Sequence, residues 1–171
     1  PNQVPNQVRD KLPAILYVHG GGWVLGDKAT HDRLVREIAV GAGAAVVFVD
    51  YHRSPEAQYP VPGEEAYATL AFIAAHADRF NIDATRIAIA GDSVGGALAA
   101  AVTLMAKERG GPKIVQQVLF YPVADADFDT ASYHQFADGP WLTRNAMQWF
   151  WDQYLPDRAR RSEPAAAPLK A

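Results

Sequence analysis

The chain has 171 residues, the length of one ordinary domain. Hydrophobic residues make up 49% and charged residues 20%, which excludes a disordered, collagen-like or coiled-coil chain. Lys and Arg number 16 against 19 Asp and Glu, a net charge of −3 with no basic stripe, so nucleic acid is not expected as a partner. The absence of cysteine excludes a disulfide framework, a thiol nucleophile and a Cys-ligated zinc.

Residues 1–4 and 5–8 repeat Pro-Asn-Gln-Val, and residues 1–12 read as a flexible lead before a domain over 13–171. Ala14–Val18 is a short apolar strand that runs into His19-Gly20-Gly21-Gly22. A helix follows from about Thr30, its expected cap, with Leu34, Val35 and Ile38 at helical spacing and Gly41 and Gly43 at its end. Ala45–Val49 is apolar on both faces, as in a buried parallel strand. The stretch from Asp50 to Pro62 carries Pro55, Pro60 and Pro62 and is expected to be irregular. A helix is predicted from Glu64 to about Ala77, and a third strand over Arg86–Ala90. Gly91–Gly96 is a tight turn into an Ala-rich helix ending near Gly110, and Val115–Tyr121 is a fourth strand. Asp125–Pro140 reads as loop, Asn145–Tyr154 as an aromatic helix, and Arg158–Ala171 as a tail without an element of its own. Alternating strands and helices predict an α/β fold, a mostly parallel sheet flanked by helices with its site at the carboxyl ends of the strands. The longest apolar stretch, Gly95–Ala106, is too short to span a bilayer, and no signal peptide is visible. No membrane span and a cytoplasmic location are therefore expected.

Both glycine-rich turns stand where such a site would form. Gly91-Asp92-Ser93-Val94-Gly95 fits the G-x-S-x-G pattern, which places a serine on a sharp strand-to-helix turn with its hydroxyl exposed. Flanking glycines permit that turn, and the helix N-terminus behind it favours a developing negative charge. His19-Gly20-Gly21-Gly22 fits the HGGG loop of lipases and esterases, whose backbone N–H groups bind an oxyanion. Either motif alone is compatible with a merely structural turn. The two together, in this order and each after a strand, are not.

The chain resembles the hormone-sensitive-lipase-like branch of the α/β-hydrolase fold from about Pro13 to Ala171. Asp50-Tyr51-His52-Arg53-Ser54-Pro55-Glu56 is similar to the family's D-Y-R-x-x-P-E stretch, and Gly91–Gly96 to its G-D-S-A-G-G elbow, with Val94 in place of Ala. The resemblance implies that the first and third strands are neighbours, with the second outside the first. It implies a serine hydrolase of carboxylic esters of short to medium acyl length, with Ser93 as nucleophile and the N–H groups of Gly21, Gly22 and Val94 as oxyanion hole. His19 and Gly20 would support the loop, and Asp92 would be a supporting residue. Trp23, Phe128, Trp141 and Trp149 are candidates to line the substrate pocket, Trp23 first among them.

In this family the triad acid and histidine follow later strands, so the resemblance implies an incomplete catalytic domain, completed by a C-terminal segment or another copy of the chain. Within the chain only His134 follows Ser93, near Asp125, Asp127 and Asp129, and a solvated loop is the preferred reading of that group. His31 and His76 are expected at the surface. The partner is a small-molecule ester, with no cofactor and no metal. A hydrolase-like ligand-binding protein and an amide or peptide hydrolase are the alternatives.

Overall fold

The computed structural model describes residues 10–171. The elements run β1 (Leu12–Val18), α1 (Lys28–Ala42), β2 (Ala45–Val49), α2 (Val61–Ala75), β3 (Ile82–Asp92), α3 (Val94–Glu108), β4 (Ile114–Phe120), α4 (Ala131–Gln135) and α5 (Arg144–Tyr154). Of the flexible lead expected over 1–12, residues 1–9 lie outside the described residues, and Leu12 already belongs to β1. The tail, expected to be featureless, holds two short 3-10 turns, Arg158–Ser162 and Pro168–Lys170.

The four strands form one parallel sheet in the order β2-β1-β3-β4. Val18 pairs with Val49 on one side and with Gly91 on the other, so the carboxyl ends of β1, β2 and β3 lie level. The chain steps one way from β1 to β2 and the other way afterwards. Right-handed crossovers then place α1 on one face and α2 and α3 on the other. α3 buries ten residues, from Val94 to Ala106, because its Ala and Gly side lies directly on the sheet. α1 buries none and exposes Leu34 and Val40, and β4 is an edge that leaves Val115, Val118 and Phe120 open.

Local chemistry explains where the boundaries differ from the sequence reading. Asp27, not Thr30, caps α1: its carboxylate accepts from the N–H of Ala29 and Thr30, while Thr30 Oγ1 accepts from the Asp27 N–H at 2.9 Å. That reciprocal box starts the helix earlier than Thr30. α2 likewise begins inside the proline-rich stretch, because proline is tolerated in a first helical turn, where its missing N–H has no partner to lose. β3 begins at Ile82 rather than Arg86, with Ile82 paired to Leu12 across an irregularity in the ladder. The loop after β4 contains the short α4, capped by the Thr130 side chain.

Two glycines hold the sheet and α3 together. A Cβ on Gly95 would stand 2.1 Å from the carbonyl oxygen of Val18, and one on Gly91 would stand 2.4 Å from that of Gly95. Gly41 in α1 is the contrast, with nothing within 4 Å of a Cβ built on it. Gly95→Ala is expected to destabilise by about 3 kcal/mol, or about 6–12 °C in Tm at this chain length. Gly41→Ala is expected to stabilise by about 0.5–1 kcal/mol. Thermal unfolding of the two variants checks both signs.

Candidate active site

Ser93 stands between β3 and α3 with φ 54° and ψ −122°, a left-handed backbone that a non-glycine residue adopts at a cost of about 1–3 kcal/mol. Three hydrogen bonds hold it there. Its N–H donates to the Phe120 carbonyl at 2.9 Å, and its own carbonyl accepts from Val123 at 3.1 Å and Ala97 at 3.2 Å. The expected elbow is present, with Val94 as the first residue of α3 directly behind the serine.

The glycine loop lies against this elbow because β1 and β3 are hydrogen-bonded neighbours. Asp92 Oδ1 accepts from the Gly20 N–H at 3.0 Å and from the Tyr17 hydroxyl at 2.9 Å. The approach is close enough that a Cβ on Gly20 would meet Asp92 Oδ2 at 2.3 Å. Gly20 is thereby committed to Asp92. Gly21 and Gly22, with φ 113° and 63°, turn the chain onward, and the Gly21 carbonyl accepts from Val24 and Leu25. The structure thus brings Gly21, Gly22, Val94 and Ser93 to one end of the sheet. The ring of Phe150 covers Gly22 so tightly that a Cβ there would meet it at 2.2 Å.

His19 is fully buried behind the loop. Its Nδ1 lies 2.7 Å from the Gly20 carbonyl, an acceptor only, so the proton sits on Nδ1. The ring stacks on Tyr51 at 4.2 Å, and the Tyr51 hydroxyl donates to the His19 carbonyl at 3.0 Å. Its Nε2 has no hydrogen-bond partner. This is a brace for the loop, not a base facing Ser93.

Trp23 corrects the pocket assignment. It is 0% exposed, stacks on Tyr154 at 4.2 Å and meets Trp151 edge-on at 4.8 Å, so it belongs to the core beneath the loop. Phe128 packs edge-on against Tyr133, and Trp141, 95% exposed, stands in solvent. The residues that do line the cleft beside Ser93, about 770 Å³ in volume, include Tyr121, Val123, Tyr133, Phe136, Leu142 and Met147. The sequence offered one signal for them. Tyr121 and Pro122 directly follow β4, at the carboxyl end of the strand next to the elbow.

The histidines are engaged elsewhere than at Ser93. His52 sits on Glu65 at 2.5 Å, His76 on the Phe72 carbonyl at 2.9 Å, and His134 3.6 Å from Asp129. His31, expected at the surface, is half-buried with Nε2 3.6 Å from Asp92. Asp125 faces the cleft but pairs with Lys170 at 2.9 Å. Among the described residues, no three His, Asp or Glu side chains gather as a metal-binding set, and no helix is long and apolar enough to cross a membrane.

Burial holds the His19 ring below the ordinary histidine range. The unfolded chain takes up a proton as pH falls through the ordinary value of 6.5, while the folded chain does not. The unfolded state then binds more protons, so stability is lost as pH falls below that value. Tm measured from about pH 7 to about pH 5 should decline, and His19→Gln should flatten that decline.

Comparison with known proteins fits this geometry. A family described as alpha/beta hydrolase fold matches residues 15–171. The chain is 43% identical over 152 residues to the carboxylesterase NlhH of Mycobacterium tuberculosis, a match that covers 89% of this chain and 48% of that protein. It is 36% identical over 162 residues to an ethyl acetate hydrolase of Pseudomonas putida, covering 91% of this chain and 49% of that one. Among solved structures, a thermostable esterase from Pseudomonas putida superposes with a TM-score of 0.93 at 50% identity, covering 98% of this chain and 52% of that chain. The chain spans about half the length of these relatives. With the match running from β1 through the glycine loop and the elbow to Ala171, the chain belongs to the α/β-hydrolase family.

Proposed function

We propose that this chain supplies the nucleophile and oxyanion half of a carboxylic-ester hydrolase. The observation that carries the reading is Ser93, held at positive φ at the carboxyl end of β3 beside the glycine loop. Ser93 Oγ attacks the ester carbonyl carbon. Its proton passes through a base to the departing alcohol as the carbon–oxygen bond breaks and an acyl-enzyme forms. Water then attacks the acyl carbon, the acid leaves, and the proton returns to Ser93. The N–H groups of Gly21, Gly22 and Val94 stabilise the oxyanion of each tetrahedral intermediate. The names of the relatives support ester hydrolysis, and the cleft beside Ser93 is lined mainly by apolar and aromatic side chains, as an acyl chain requires.

The base and its carboxylate come from outside residues 1–171, and the reading favours a C-terminal segment over a second copy. Each histidine of the chain is engaged away from Ser93, and the relatives are about twice as long. The test joins the 171-residue chain to the C-terminal half of the P. putida esterase and follows p-nitrophenyl acetate. Turnover is expected, and Ser93→Ala should lower it by at least ~10³-fold. Turnover that survives Ser93→Ala, or full turnover by the isolated chain that is lost in His134→Ala, would overturn the proposal. Gly22→Val should lower kcat by about 10²–10³-fold, because the added carbons displace Phe150 and turn the N–H away from the oxyanion.

A further inference from the structure

We propose that His31 is a positioning residue for the oxyanion loop, backing the Asp92 carboxylate that leashes Gly20 to the elbow. The argument starts from Asp92. One of its oxygens accepts from both the Tyr17 hydroxyl and the Gly20 N–H, so the entry to the glycine loop is fixed to the residue next to Ser93. The carboxylate is only 13% exposed. A buried carboxylate with two neutral donors still lacks a compensating charge, and leaving it without one is costly.

Among the described residues, the one basic side chain within ion-pair range of Asp92 is His31 on α1, with Nε2 3.6 Å from Oδ1 and the ring 14% exposed. At that distance the contact is a polar approach rather than a hydrogen bond. The other ring nitrogen is held by the start of the helix. Thr30 Oγ1 lies 2.9 Å from the Asp27 carbonyl and 2.9 Å from His31 Nδ1. The Asp27 carbonyl is also 3.3 Å from Nδ1. Nδ1 is thereby tied to the capping box, which turns Nε2 toward Asp92. The rings of His19 at 5.4 Å and Phe48 at 5.9 Å hold His31 in this place. The capping box that starts α1 therefore aims His31 Nε2 at the carboxylate under the glycine loop. His31 touches no reacting atom and acts through Asp92 on the N–H groups of the loop.

The inference rests on the proposed ester hydrolysis only for its kinetic readout. In the full 171-residue chain, His31→Gln should speed hydrogen exchange across Gly20–Gly22 about tenfold, while on an Asp92→Asn background the same change should have an effect within twofold. His31→Asn carries the same test should the Gln variant fail to fold. In the chain joined to the C-terminal half of the P. putida esterase, His31→Gln should lower kcat about tenfold with KM within twofold, since a displaced oxyanion donor is missed chiefly in the transition state. Unchanged exchange in both variants, or equal effects with and without the Asp92 carboxylate, would overturn the inference. Absence of any Ser93-dependent turnover would overturn the ester reading instead, and the exchange result would still decide the role of His31.

Discussion

The end of β1 approaches the start of α3 so closely that no side-chain carbon fits between them. The Val18 carbonyl lies where a Cβ of Gly95 would be, and Gly91 is hemmed by both. This contact sets the pitch of α3 against the sheet, and Ser93 is the residue left at the apex of the turn. The left-handed backbone of Ser93 persists because the Phe120, Val123 and Ala97 peptide groups hold it from both sides. The same contact places the peptide after Val18 beside Ser93. The glycine loop can begin nowhere else.

A second layer keeps that loop in shape. From the elbow side, Asp92 grips Gly20. From behind, His19 stacks on Tyr51 and bonds to the Gly20 carbonyl. Trp23, at φ 62°, drives its ring down onto Tyr154, and Phe150 closes over Gly22. α5 is therefore part of the loop's foundation, and Arg161 secures its end by bonding the Leu155 carbonyl and Asp152. Gly21 and Gly22, at positive φ, carry the turn between these supports. Burial raises the Tyr51 and Tyr154 hydroxyls above their ordinary range, so this aromatic layer stays uncharged.

The arrangement divides labour between the two faces of the sheet. α2 and α3 cover one face and bury a side of each helix against it, whereas α1 covers the other without burying a residue of its own. What α1 contributes instead is His31, set by a capping box at its start.

Much of this was legible in the sequence. The apolar run Ala45–Val49 is a strand as expected, but as an edge of the sheet it is only partly buried up to Val49, because α1 covers its outer side loosely. The Gly91–Gly96 turn and the HGGG loop reveal themselves because close backbone approach leaves no alternative to glycine. The chain order of strands and helices was enough to place both turns at the carboxyl ends of a parallel sheet. Tertiary structure alone decided which aromatic rings face the cleft. Trp23 stands beside the loop in sequence, but its backbone sends the ring into the core, and Tyr121 and Met147 line the cleft instead. It also decided the fate of His31, which reads as a surface residue because nothing in its neighbours announces a carboxylate some sixty residues away. Glycine is demanded by the local geometry of one turn. The facing of a side chain depends on which distant element packs against it, and that is settled only when the sheet is assembled.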